Sequence, residues 1–481
     1  MLPTITVDIG TTAVKLCLFD ADARLVASER QPTPTRTDQW GEIYDLVELN
    51  NIIVGFVLGL EPWQRAGVKR VAITGVGESG GLVRPDLTLA SPMILWHDHR
   101  GADYLARLDA SDRSRIYEIT GLPVNAHYGL SKAVWAWERA GEAGAGAQWL
   151  NIAEYVAAVM TGERWSERTL ASRTMALDLV QETWSAEICA LFGIGAEVFP
   201  ELRAAYEGSA MAPSYAREAG LPADVVVHVA GHDHMVGAVG AQLQPGELLN
   251  STGTTEGLLF LGEAPALDKY AERSKLANGF ACVGADFTLF ASIPTGGSAF
   301  ATLQSLLGVG AEQLSGLIAE LNEKYVAGQG DLRQIPLVLP QFRGSPPPTK
   351  NALARGVIAG VRTDSTLEEI VMGCFLGMVL QYRDVLELFR VRPERVKVIG
   401  PASKNPLWLQ LKADLLGAPL RVSSFPEVVS RGAQALASGK SGDWEALAPT
   451  EVHVDPRRHA RLSEWCDQIR PQWEYMKGFP W

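Results

Sequence analysis

The segment TITVDIGTTAVKLCLFD, Thr4 to Asp20, sets apolar and β-branched residues on both sides of a Gly-Thr-Thr turn. That pattern predicts two strands joined by a tight turn, since β-branched side chains fit a pleated surface and glycine eases the turn. A third strand follows in ARLVASE, Ala23 to Glu29. About half a chain later the pattern returns as GELLNSTGTTEGLLFLGE, Gly246 to Glu263. A repeat at that separation implies two related domains, each opening on a Gly-Thr-Thr hairpin. The boundary is placed near Pro245: residues 1–245 form the first domain and 246–440 the second, with 441–481 a polar tail expected on the surface.

Bulk properties agree with two domains. At 481 residues the chain exceeds what one hydrophobic core normally supports. A net charge of −12 argues against a nucleic-acid or anionic-membrane surface, which needs a basic footprint. The five cysteines are scattered with no pair at Cys-x-x-Cys spacing, so no zinc or redox motif is suggested and a reducing compartment fits. The start, MLPTITVDIG, lacks the basic and apolar regions of a secretory signal, and the longest apolar run, Ile370 to Leu380, is too short to span a bilayer. The expectation is a cytoplasmic α/β protein.

Further strands are expected in VKRVAITGV (Val68 to Val76), DVVVHVAG (Asp224 to Gly231) and RVKVIG (Arg395 to Gly400). Helical periodicity marks Leu130 to Ala140, Trp149 to Gly162, Ser365 to Phe389 and Asn405 to Gly417. His234 to Leu243 predicts a closely packed helix of small residues, and Gln341 to Gly356 a Pro/Gly loop.

The two Gly-Thr-Thr turns carry the first chemical suggestion. Glycine lets the backbone approach a phosphate, exposed N–H groups form an anion nest, and the hydroxyls add donors. Two equivalent turns across a cleft suit a polyphosphate clamp, built on Thr11 and Thr12 on one side and Gly253, Thr254 and Thr255 on the other. Asp8 lies two residues before the first turn, where a carboxylate suits Mg²⁺ held together with phosphate. Gly75 to Gly80 matches G-x-G-x-x-G but is followed by Pro85 and Pro92 in a β-like pattern instead of a helix, so the dinucleotide fold is rejected.

Two His-Asp-His triplets, His97 to His99 and His232 to His234, hold four of the eight histidines. If such a triplet lies in a strand, its histidines share one face and its aspartate takes the other. A metal cage built on both triplets is one reading. The other makes Asp233, at the carboxyl end of a predicted strand, a general base for a substrate hydroxyl attacking a phosphoryl group.

In order and spacing these motifs resemble the FGGY carbohydrate kinases, from near residue 5 to about residue 437. The resemblance implies a duplicated ribonuclease H-like fold of the actin, hexokinase and Hsp70 type, with a cleft between two domains. DIGTTAVK resembles the first phosphate motif, placing Asp8, Thr11, Thr12 and Lys15 near phosphates and metal. PMILWHDHR resembles a sugar-domain landmark through Pro92, Trp96, Asp98 and Arg100; AGHDHMVGAVGA is similar to the catalytic-aspartate motif, and NSTGTTE to the second phosphate motif. LPQFRGSPPPTKNALARGVIAGV resembles a Pro-Gly and Arg-Gly loop. VIGPASKNPLWLQLKADLLGAPL is similar to the adenosine-binding segment, with Gly400, Ser403 and Asn405 near the nucleotide and Trp408, Gln410, Ala413 and Asp414 in register.

Membership of such a family implies ATP-dependent phosphorylation of a terminal hydroxyl of a small ketose or polyol. ATP and Mg²⁺ are the implied cofactors, Asp8 and Asp233 the metal carboxylates, and Asp233 the base; a homodimer is also compatible with the family. Glu78, Ser79, Asp98 and His232 are the expected substrate contacts. Three positions depart from the family pattern: Gly400-Pro401-Ala402 stands for Gly-Gly, Leu376 for a glutamate, and Gly432-Ala433-Gln434 for Gly-Ala-Ala. The substrate loop carries Glu78-Ser79, where glycerol kinases have Arg-Glu and xylulose kinases Met-His. A sugar-binding regulator with a degraded nucleotide site is the alternative, motivated by Pro401 and the lost Gly-Gly.

Overall fold

In the computed structural model, which describes every residue except Ala285 and Trp481, two large sheets organise the chain. The first contains β1 (Thr4–Ile9), β2 (Ala13–Phe19), β3 (Leu25–Pro32), β4 (Arg70–Gly75), β5 (Gly208–Ala210) and β6 (Val226–His232), in the order β5-β6-β4-β1-β2-β3. The second contains β7 (Glu247–Thr252), β8 (Glu256–Gly262), β9 (Ala277–Phe280), β10 (Phe287–Ile293), β11 (Arg395–Ile399), β12 (Leu420–Val422) and β13 (Thr450–Val452), in the order β9-β10-β8-β7-β11-β12-β13.

Strand for strand, the sheets repeat. β1 pairs antiparallel with β2 and parallel with β4, which pairs parallel with β6. β7 pairs antiparallel with β8 and parallel with β11, which pairs parallel with β12. β5 and β13 close the equivalent edges antiparallel, and β9 is the one addition to the pattern. The central strands are covered on both faces, hence their nearly continuous burial. Edge strand β3 alternates half-buried and exposed residues.

The helices that position the site are α1 (Leu46–Gly59), α2 (Gly129–Ala140), α3 (Ile152–Thr161), α4 (Asp233–Gly240), α5 (Leu367–Glu387), α6 (Pro406–Leu416), α7 (Val428–Ala437) and α8 (Pro456–Lys477). Helices α1 and α3 cover the first sheet, burying Ile53, Phe56, Val156 and Ala157 against Val7, Val71 and Val229. Helices α5 and α6 cover the second, burying Tyr382, Val385 and Leu409 against Leu248, Val396 and Val398. Between the sheets lie α4 and α7, which share a core with Ala72 of the first sheet and Leu249 and Ile399 of the second. Their backbones nearly touch: a Cβ on Gly432 would lie 2.1 Å from the Val236 oxygen, and one on Gly240 2.2 Å from the Val428 oxygen. This contact is why glycine occupies both positions. Gln434 reaches the first domain directly, donating to the Asp20 carbonyl at 3.3 Å.

Two expectations need correction. Trp149 and Leu150 belong to a short strand, Gln148–Leu150, paired with Gly81–Val83, and α3 starts only after the Asn151 cap. Asn151 accepts from the Ala153 N–H while Glu154 accepts from the Asn151 N–H, a local cap that outcompetes helix propagation toward Trp149. The tail is also no surface appendage. Leu462, Trp465, Cys466, Trp473 and Met476 of α8 are buried in the core of α5 and α6, and Thr450–Val452 is the edge strand β13. Among the described residues no helix is long and apolar enough to cross a membrane.

Candidate active site

Both Gly-Thr-Thr segments form the tips of hairpins, β1–β2 and β7–β8. In the first, the Gly10 N–H donates to the Ala13 carbonyl at 3.1 Å, leaving Thr11 and Thr12 exposed. Trp96 Nε1 donates to Thr11 Oγ1 at 2.9 Å, tying the WHDHR segment to this turn. Asp8 and Lys15 are directly opposed across the ladder, and Lys15 Nζ lies 3.1 Å from Asp8 Oδ2 and 3.7 Å from Glu427 Oε2. The Asp8 and Glu427 carboxylates hold the lysine charged, well above its ordinary value, against the opposing effect of burial.

In the second turn the Gly253 N–H donates to the Thr255 carbonyl at 2.9 Å. The segment Gly296-Gly297-Ser298 braces it from behind, with N–H bonds from Gly296 and Ser298 to the Thr254 carbonyl at 3.2 and 3.1 Å and from Gly297 to the Gly253 carbonyl at 2.8 Å. Ser298 opens a ten-residue helix, so a helix N-terminus stands beside the turn, a favourable anion environment. Thr295 Oγ1 and Ser298 Oγ there are buried with no hydrogen-bond partner among the described residues. The Gly-Gly-Ser triplet before a helical run was the visible signal for this brace.

Asp233 follows β6 directly and is the first residue of α4. About a quarter of its side chain is exposed. Burial pushes its carboxyl above the usual aspartate range; the Asp8 and Glu78 charges push the same way, while His234 opposes them. His232 Nε2 lies 3.3 Å from Asp233 Oδ1, and burial beside Arg173 holds His232 neutral, well below its ordinary value. His234 turns toward the second domain, where its Nδ1 is 3.1 Å from Ser251 Oγ at the base of the second phosphate hairpin.

Close enough to Asp233 for its charge to act on Tyr44 and for the Glu78 charge to act on Asp233 lies a cluster of buried polar groups. Glu78 Oε1 accepts from Arg173 Nε at 2.9 Å and Nη2 at 2.6 Å. Burial works to raise the Glu78 carboxyl, but Arg173, His127 and Lys132 hold it below the usual value. Arg173 Nη1, Tyr128 OH, Tyr44 OH, Ser79 Oγ and His232 Nδ1 are buried and make no hydrogen bond of regular geometry among the described residues, although Tyr44 lies against Ser79 and Tyr128 against Arg173. Gly77 makes this arrangement possible: a Cβ there would lie 2.7 Å from both Arg173 Cγ and His232 Cδ2. Lys132 Nζ supports the wall from outside through the His127, Ala126 and Tyr128 carbonyls at 2.7, 3.0 and 3.1 Å.

In the second domain, Gly400 has φ +101° and packs against the Thr252 backbone, so no other residue fits comfortably. Pro401 opens a short 3-10 turn, where a missing N–H has no intrahelical partner to lose. Ser403 Oγ bonds the Gly400 carbonyl at 2.6 Å, and Asn405 caps α6 by accepting from the Trp408 N–H at 3.0 Å. Both side chains thus shape the loop. Asp98, expected at the substrate, has its two oxygens committed to Arg100 through N and Nε, both at 2.8 Å, and Arg100 in turn pairs with Asp38.

Neither His-Asp-His triplet lies within a strand: one occupies a turn, and the other straddles the β6–α4 junction. His97 faces Glu42 and His234 faces Ser251, and no group of three or more His, Cys, Asp or Glu among the described residues is arranged to hold a metal. The metal-cage reading is therefore set aside. The Asp8 charge is among the effects that raise the Asp233 carboxyl, so the two carboxylates lie within electrostatic reach of each other.

Sequence comparison agrees with this geometry. Residues 4–240 match the N-terminal domain, and residues 248–439 the C-terminal domain, of the FGGY family of carbohydrate kinases. The chain belongs to the FGGY family of carbohydrate kinases. It is 27% identical to a glycerol kinase of Cereibacter sphaeroides, over 97% of this chain and 98% of that protein. It is 25% identical to a xylulose kinase of Bacillus subtilis, over 92% of this chain and 89% of that protein. The solved structure of a "xyloylose kinase" from Brucella ovis superimposes with a TM-score of 0.86 at 21% identity, covering 98% and 99% of the two chains. The FGGY kinase described here is thus an actin-like two-domain α/β enzyme that transfers phosphate from ATP to a sugar or polyol.

Proposed function

We propose that this FGGY kinase phosphorylates a terminal hydroxyl of a small ketose or polyol with Asp233 as general base. The observation that supports the reading is the cluster of buried polar groups around Glu78 and Arg173, close to Asp233, in which Tyr44, Tyr128, Ser79 and His232 Nδ1 make no hydrogen bond of regular geometry. Leaving such groups unmatched is costly, on the order of 1–3 kcal/mol each, and a substrate bearing several hydroxyls would satisfy them together. Glu78 Oε2, Tyr44 and Tyr128 would select adjacent hydroxyls and present the terminal one to Asp233.

Asp233 then takes the hydroxyl proton as the oxygen attacks the γ-phosphorus in line, and ADP leaves. N–H groups and hydroxyls of Thr11, Thr12, Thr254 and Thr255 would hold the phosphates, with Lys15 offsetting their charge. Asp8 and Asp233 would hold Mg²⁺, which supplies further compensation of the phosphate charge. Approach of the two domains would exclude water as a competing nucleophile. The alternative, a sugar-binding regulator with a degraded nucleotide site, predicts no binding of Mg-ATP, which calorimetric titration reads directly.

A panel of tetritols, pentuloses and hexuloses in a coupled ADP-release assay tests the reading. At least one should accelerate ADP release far above the sugar-free rate. ADP release independent of every polyhydroxylated acceptor would contradict it.

A further inference from the structure

Behind the site runs a chain of buried polar groups that the transfer step does not use. Asn151 Nδ2 donates to the Val76 and Ser79 carbonyls at 2.9 and 3.0 Å, on either side of Glu78. The Asn151 N–H donates to Glu154 Oε2 at 2.7 Å. Glu154 Oε1 accepts from Ser166 Oγ at 2.6 Å and from the Glu167 N–H at 3.0 Å. Glu167 Oε2 in turn accepts from the Thr169 hydroxyl at 2.5 Å and from the Thr169 and Leu170 N–H groups at 2.8 and 3.1 Å. The Thr169 hydroxyl receives the His232 N–H at 2.8 Å, one residue before Asp233. Each of these side chains is at most 4% exposed.

The last link meets an irregular backbone. The β4–β6 ladder slips between Val229 and Gly231, and Gly231 has φ +118°. Its carbonyl is held by the Thr74 hydroxyl at 2.7 Å, and a Cβ on it would lie 2.4 Å from Thr169 Oγ1. The turn that aims Asp233 is therefore fixed by side chains from two other segments, and the Thr169 hydroxyl is the only side-chain oxygen among the described residues to receive the His232 N–H.

We propose that Asn151, Glu154, Glu167 and Thr169 form one buried brace that sets the Asp233 turn in register with the Glu78 loop. They are positioning residues: none touches the reacting atoms. Thr169 fixes the base, so its loss falls on kcat. Asn151 fixes the substrate loop, so its loss falls on the sugar KM. The inference rests on Asp233 being the base.

The test compares steady-state kinetics of the full-length enzyme with Thr169→Val, Thr169→Ser, Asn151→Ala and Asp233→Ala, using the panel sugar with the highest rate. Thr169→Val removes the hydroxyl at nearly constant size. Its kcat should fall about 10–100-fold, the scale expected of a small misplacement of a catalytic group, with both KM values within about threefold. Thr169→Ser keeps the hydroxyl and should retain most of kcat. Asn151→Ala should raise the sugar KM about tenfold with a smaller change in kcat. Thermal melts and Mg-ADP titration establish folding, and Thr169→Ala replaces the valine variant if that one does not fold. A hydroxyl-free variant with kcat within twofold of wild type, or valine and serine variants equally impaired, overturns the brace. If Asp233→Ala is inactive in the same assay, the base assignment survives that failure; if Asp233→Ala is active, the base assignment itself falls.

Discussion

Asp233 sits where burial and the neighbouring Asp8 and Glu78 carboxylates favour its protonated form, and His234 only partly compensates. A base must be deprotonated to act, so a raised pKa moves the acid limb of the rate profile upward. The limb of kcat/KM should therefore lie above the ordinary aspartate range. Glu78→Gln, which removes one of the repelling charges, should move it to lower pH while raising the sugar KM; a profile unchanged in position would separate Glu78 electrically from Asp233. Gly77→Ala is the sharper probe of the pocket, since its Cβ would collide with Arg173 and His232 together. It should raise the sugar KM by tenfold or more while the ATP KM stays within a few-fold, both read from initial rates. Arg173, Tyr44 and Tyr128 were not legible in the sequence. They come from three distant segments, and nothing local distinguishes Arg173 in LASRTM from a surface arginine until the fold buries it against Glu78.

Among the elements, the Gly-Thr-Thr hairpins and Asp233 at a strand end were legible, because turn chemistry and strand periodicity are local and the repeat displayed the hairpin twice. Helix α8 was hidden by average polarity. Its Leu462, Trp465, Cys466, Trp473 and Met476 lie at helical spacing among many charges, and that narrow stripe is the part that packs. The α4–α7 crossing was visible only as two glycine-containing strings whose contact no local rule reveals. It carries a prediction of its own. Gly432→Ala places a methyl against the Val236 carbonyl and should destabilise the enzyme by about 3 kcal/mol, seen as a shifted denaturation midpoint. An unchanged midpoint would show that the helices can separate at no cost. Because α4 begins at Asp233, the same variant should also lower kcat.

Across the whole molecule, the two sheets are the same device used twice, and the site exists only between them. Asp8, Glu78 and Asp233 come from the first half, and Ser251, Gly253 to Thr255 and the Gly400 loop from the second. The His234–Ser251 contact joins them beside Asp233. Stability should also depend on pH through the buried His228, which burial beside Arg70 pushes down to about 4. A histidine whose folded pKa is depressed contributes fully above its unfolded value near 6.5. That contribution is lost as pH falls toward 4, at a cost of about 3 kcal/mol for such a shift. Denaturation of His228→Gln should accordingly be less steeply pH-dependent than wild type over this window, and identical slopes would remove His228 as a cause.

In the proposed reaction a carboxylate at position 233 takes the proton of a sugar hydroxyl while the paired hairpins hold the phosphates. Sugar-dependent ADP release by Asp233→Asn, measured beside wild type with the best acceptor and with Mg-ADP affinity as a control, tests it most directly. With Asp233 as base, kcat should fall by at least about 100-fold, the usual contribution of a general base, with nucleotide affinity kept. A kcat within tenfold of wild type would contradict it.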